Sequence, residues 1–248
     1  MAKSESKPEN AVVPWNEELA KFAEAAASVE KPSLPVLSFR NGVMTYQDNN
    51  IPGNAIDVVV VANIFENAYY TGRFDPTAPK PPVCFALSEV EDELEPHENS
   101  SSKQSEVCFG CPKLEWKSSE TGGKGKACKE IRRLALIAAS DLETPEKIAK
   151  AEIIMAKIPV TSVKHWSNYV NQLAATVRRP PFAMVTNIKV EPHPQTQFKV
   201  LFSPRVAITE EAGRAVYARR QEALKMLLSP YDPSEGSEAA PQPSSNKY

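Results

Sequence analysis

Glycine is scarce in this chain, 9 residues against 22 prolines in a length of 248, and that balance argues for extended, loop-rich connections rather than a helical bundle. No apolar run approaches bilayer length; Ile56–Ala62 (IDVVVVA) is strand-sized. Neither sign of charge dominates, with a formal net charge of -2. The first ten residues are polar and lack the apolar stretch of a secretory signal, so a reducing cytoplasm is expected and disulfides are not. The phosphate-binding sequence G-x-x-x-x-G-K-[ST] is missing, because Lys126 is followed by Ala127. Histidine is nearly absent too. His165 and His193 stand without a nucleophile or carboxylate at a recognisable spacing, which leaves no catalytic constellation.

Cysteine is equally rare, but all four copies fall between Cys84 and Arg133. Cys108 and Cys111 form a C-x-x-C knuckle, whose two thiolates on one tight turn suit one side of a tetrahedral Zn²⁺. Cys128 supplies a third ligand from across a short loop, and the fourth is Cys84 or His97, with Cys84 preferred because His97 lies in an acidic loop. Four protein ligands close the site and make it structural. A redox C-x-x-C normally opens a helix after a strand, whereas Pro112 follows this one.

Charge is segregated around the cysteines. Glu89, Glu91, Asp92, Glu93, Glu95 and Glu98 precede the knuckle; Lys113, Lys117, Lys124, Lys126, Lys129, Arg132 and Arg133 follow it. A basic loop with Trp116 among its lysines can attract a polyanion and stack on an unpaired base. Tyr69, in an aromatic run with Phe65 and Tyr70, is a further stacking candidate; because neighbours on a strand face opposite ways, one of Tyr69 and Tyr70 is expected at the surface.

Along the chain, residues 1–13 read as disordered, Trp15–Val29 as a helix, and 229–248 as a disordered tail. Strands are expected over Val36–Gln47 (broken at Asn41-Gly42), Ile56–Ala62, Asn63–Tyr70, Val83–Leu87, Arg133–Ala138, Glu152–Ile158, Phe182–Val190 and Thr196–Phe202. A helix is expected from Thr161 with Val163, Trp166, Val170, Leu173 and Val177 inward, and another over Thr209–Leu228; Leu142–Ala149 reads as a polar excursion. Strands joined mainly by hairpins favour an α+β, antiparallel design: one domain over 14–228, with a zinc-binding insertion over about 84–133.

The order PPVCFAL, EPH, Q-x-x-x-C-x-x-C-P-x-x-x-W and GKGKACK-x-x-RRLALI resembles small phage-encoded proteins of replication and recombination regions, similar to zinc-containing single-stranded DNA-binding proteins with an OB-like core. The resemblance implies an OB-like antiparallel barrel or sheet with peripheral helices and no enzymatic activity. It also implies structural zinc on Cys84, Cys108, Cys111 and Cys128; it supplies no motif for base or phosphate contacts, and from the basic and aromatic residues themselves Trp116, Lys124, Lys126, Arg132 and Arg133, then Lys129 and Tyr69, are the candidates for DNA contact. The expected partner is single-stranded DNA in the host cytoplasm, with replication or transcription proteins as further partners. Two rival functions follow from the same residues: a zinc-stapled regulator docking a host polymerase or replication protein, and a metal-dependent nuclease or recombination accessory. The mildly acidic tail, ending Asn246-Lys247-Tyr248, departs from the strongly acidic tails common in single-strand binders.

Overall fold

The structure, a computed structural model, describes Trp15, Leu19, Lys21 and Phe22, then residues 35–72, 80–120, 122 and 124–231. The first four are helical and exposed and belong to a unit, Met1–Leu34, separate from the body, Pro35–Tyr248. The rest of the helix expected over Trp15–Val29 and the expected disorder of residues 1–13 and 232–248 lie outside the described residues; the disordered tail expected from residue 229 starts too early, because the Ser229 carbonyl accepts from Arg133 and the Tyr231 hydroxyl bonds the buried Glu66.

The body is built on β4 (Ala55–Tyr69), a 15-residue strand that joins two segments read separately from sequence. Its unbroken apolar run, Val58–Ala62, suits a pleat buried on both sides. A register shift between Val60 and Ala62 re-aims the second half. Along one edge β4 pairs antiparallel with β6 (Lys129–Ala138). Along the other it is shared: Ala55–Val59 pair with β8 (Met184–His193), and Phe65–Tyr69 pair with β5 (Cys84–Ser88). Outside β6 lie β7 (Ile154–Ile158), β1 (Val36–Ser38), β2 (Thr45–Tyr46) and β3 (Asn49–Asn50); outside β8 lies β9 (Gln197–Ala207). All these pairs are antiparallel except β1 with β7. The nine-stranded sheet is curled and open, running from β3 to β9 without closing into a barrel. The turn between β2 and β3 is Gln47-Asp48, both at positive φ (47° and 60°), as a two-residue hairpin loop demands; it begins one residue earlier than the turn read at Asp48–Asn50.

Each face of the sheet carries its own core. On one, Val58, Val60, Leu134 and Leu136 meet Trp166, Tyr169 and Leu173 of the helix α2 (Val160–Gln172) and its π-turn (Leu173–Val177). The helix stops there because Arg178 turns left-handed, φ 52°. On the other, Val59, Val61, Ala135 and Ile137 meet Ile148 of α1 (Pro145–Lys150), Ala212 and Val216 of α3 (Glu210–Ala218), and Ala223, Leu224 and Leu227 of α4 (Arg220–Leu227). Helix α1 replaces the polar excursion: Thr144 caps it by accepting from the Lys147 N–H at 3.3 Å, with Pro145 at its first position. The single helix expected over Thr209–Leu228 breaks at Arg219, whose guanidinium turns inward to donate to the Ile148 and Ala151 carbonyls (2.6 and 3.0 Å) and so satisfies the end of α1. The fold is therefore α+β and mainly antiparallel, with helices covering both faces.

Candidate functional site

Residues 89–128 enter between β5 and β6. Among the described residues of this segment the helical turns are Glu91–Glu93 and Pro112–Leu114, each a single 3-10 turn. Backbone contacts tie the segment down at a few points. The Cys108 N–H donates to the Leu94 carbonyl (3.1 Å), the Cys128 N–H to the Lys113 carbonyl (2.9 Å), and the Ser102 N–H to Val83 at the border of β5 (2.8 Å). The Ser118 hydroxyl clasps the basic loop, its one proton lying between the Glu115 and Lys113 carbonyls (2.7 and 3.0 Å) and its oxygen accepting from the Ala127 N–H at 2.9 Å.

The four thiols converge. Cys84, on β5 opposite Tyr69, and Cys128, just before β6, pack together; Cys108 lies against Ala86 and Leu94; with Cys111, all four are buried and line one cavity of about 10 Å³. All are free cysteines. His97 is elsewhere: its ring stacks on Phe85 at 4.9 Å, and its Nδ1 accepts from the Asn99 N–H. Among the described residues, no group of three or more His, Cys, Asp or Glu side chains is positioned to hold a metal ion; the thiols share a cavity without the spacing of a coordination shell. Burial, then the neighbouring thiols, push the Cys128 thiol up to about 12, and burial raises Cys108 as well. Without a cation these groups stay protonated at neutral pH, since a thiolate would be stranded in an apolar wall.

Outside the thiol cavity, side chains emerge on turns that cannot bury them. Trp116 is 73% exposed, and the Lys126 ammonium sits 5.5 Å from its ring centre. Lys117 and Lys124, on the same loop, are exposed. Lys126 also pairs with Glu130 at 2.6 Å and Lys113 with Glu120 at 2.7 Å, so part of the basic cluster is already neutralised. Lys129 is exposed, its Nζ donating to the Lys126 carbonyl at 2.7 Å.

No known family model, curated protein or solved structure matches this chain. The site is therefore read from its own geometry.

Three residues expected at a DNA surface are structural instead. Tyr69 is buried at 4%, its hydroxyl bonded to Glu120 and its ring under Lys113; Tyr70 is the exposed neighbour. Arg132 lies flat on Phe65, 3.7 Å from the ring centre, and reaches Glu91 at 3.6 Å. Arg133 is 3% exposed on the opposite face, bonded to the fully buried Glu66 and donating to the Leu227 and Ser229 carbonyls (2.8 and 2.9 Å). The strand expected from Arg133 in fact begins at Lys129, so both arginines lie inside it; a strand sends adjacent side chains to opposite faces, and each face here is covered. Phe109, inside the C-x-x-C, was not singled out, yet it is 92% exposed. Its signal was available: when both flanking cysteines turn inward, the residues between them must turn outward.

Proposed function

We propose that this protein binds single-stranded DNA without enzymatic action, in phage replication or recombination within the host cytoplasm. On this reading Cys84, Cys108, Cys111 and Cys128 hold a structural Zn²⁺ that fixes the loop carrying Trp116. The observation that carries it is the pairing of a four-thiol cavity with an exposed tryptophan among lysines on the same loop. Segment 89–128 has little regular structure and few apolar residues, so a metal staple accounts for a defined shape. The donor set fits: four sulfurs and no competing carboxylate on the cavity wall suit a borderline-soft cation. Binding requires the thiols to close in and shed protons, which a divalent cation drives.

Trp116 stacks on an unpaired base, and Lys117, Lys124, Lys126 and Lys129 follow the phosphates. The curled, open, mainly antiparallel sheet is compatible with an OB-like body. Helices cover both faces of the sheet, which favours the exposed insertion over the strands as the contact surface on this reading.

Titration of fluorescein-labelled oligonucleotides at two salt concentrations tests the proposal. Binding should prefer single strand to duplex, and log affinity should fall with log salt by about 0.7 per phosphate neutralised. Equal affinity for duplex, or a flat salt response, refutes it.

A further inference from the structure

Phe109 is held outward by construction. The Cys111 N–H donates to the Cys108 carbonyl (3.1 Å), placing Phe109 and Gly110 at the corners of a tight turn, and Gly110 has φ +74°, a conformation suited to glycine. A polar residue would serve such a corner at no cost in exposed apolar surface. Here a whole aromatic ring stands in water, with Val107 beside it 45% exposed. The surrounding charge is negative. Leu94 packs on Cys108, so Glu93 and Glu95 on either side of it flank the knuckle, and Glu106 precedes the turn; all three are exposed without an ion pair among the described residues, against the exposed Lys103, while Lys113 is paired with Glu120. A net negative flank repels a phosphate backbone, so this corner suits an apolar pocket with a cationic rim rather than nucleic acid.

The body offers such a pocket. Between α3 and the start of β8 lies an open groove of about 800 Å³ with Phe182, Ala183, Ile208 and Tyr217 in its wall. Tyr217 is 58% exposed, its ring 5.4 Å from that of Phe182. Arg179 and Arg214 stand on the rim; Arg214 pairs with Glu210, while Arg179 has no ion pair among the described residues.

We propose that Phe109 of one copy of this chain, with its acidic flank, docks into the Arg179-rimmed groove of a second copy. Ring and groove agree in polarity, the flanks are opposite in charge, and the groove has room for Phe109 together with Val107. Because the two surfaces differ, the contact is heterologous: a joined pair keeps one free knuckle on one copy and one free groove on the other, and copies add head to tail. If the protein coats single strands as proposed above, this contact links neighbours along the strand; its existence does not depend on that reading.

Sedimentation velocity on the full-length, zinc-supplemented protein without DNA tests it. Wild type should form species larger than monomer as concentration rises, and added salt should weaken them. Phe109→Ser removes the knob. Gly213→Leu fills the groove, and its added Cβ meets only Ile208 at 3.9 Å, so the helix tolerates it. Each variant alone should weaken association about thirtyfold or more, as loss of a buried aromatic anchor does. Mixing the two should restore association, but only to a dimer, because one intact knob then meets one intact groove. Monomeric wild type at all concentrations, unchanged association in either variant, or a mixture that stays monomeric overturns the proposal. Short-oligonucleotide affinity of Gly213→Leu should equal that of wild type, which separates this contact from DNA binding.

Discussion

The two faces of the β4–β5–β6 corner treat the same kinds of residue in opposite ways. On the face of α3 and α4, Glu66 and Arg133 are fully enclosed and every group is answered. Arg133 bonds Glu66 and two carbonyls at the end of α4; the Tyr231 hydroxyl bonds Glu66; and the Arg133 and Lys157 cations lie over the Tyr231 ring at 5.1 and 4.2 Å. Burial, then the Glu66 carboxylate, raises the Tyr231 pKa, so this hydroxyl remains a donor. On the other face, one residue along, Asn67 and Tyr69 border the thiol cavity, and the segment above it leaves Phe109 and Trp116 in solvent. The first face spends its charge on holding the chain together. The second has little regular structure and keeps its chemistry available, which is where binding residues belong.

The sharpest way to break that contrast is Arg133→Ala. It strands a buried carboxylate and frees the Leu227 and Ser229 carbonyls, so unfolding by denaturant should show a loss of about 3–5 kcal/mol. A loss below about 1 kcal/mol, the range of exposed ion pairs, would mean that water reaches Glu66 and that the two faces are not so different.

Cys108→Ser acts on the second face alone. Metal content should fall from one zinc per chain to none, and hydrogen exchange should quicken across 89–128, while β4, β6 and β8 stay protected. Exchange that quickens throughout the sheet would make the thiol cavity part of the core rather than a local staple.

Smaller still is Trp116→Ala. Stability should move by no more than about 0.5 kcal/mol, as for an exposed residue, while single-strand affinity should drop by about 1–3 kcal/mol. The same affinity before and after would shift the DNA contact away from this loop.

Much of this architecture was legible in the residues. Apolar patterning located the main strands, Thr209 marked a helix start by accepting from the Ala212 N–H, and cysteine spacing pointed to the one cavity that all four thiols line. The misreadings share a cause. Arg132 and Arg133 look alike in a list of basic residues, and only their partners Phe65 and Glu66 on β4 separate them from solvent. Tyr69 and Tyr70 were correctly divided between inside and outside, but which was which depended on the pairing of Tyr69 with Cys84. Thr144-Pro145 carried a helix start that the polar composition of Leu142–Ala149 hid.

What the chain alone determined is periodicity and local chemistry: where strands run, where turns must bend, and that four sulfurs lie within one stretch. Tertiary structure decided what each side chain faces. It put Cys84 on the cavity and His97 on Phe85, buried two arginines, and left Phe109 in water. The physical reason is that burial and ion pairing depend on partners far away in sequence, as Glu66 and Arg133 show, and no local pattern encodes who those partners are.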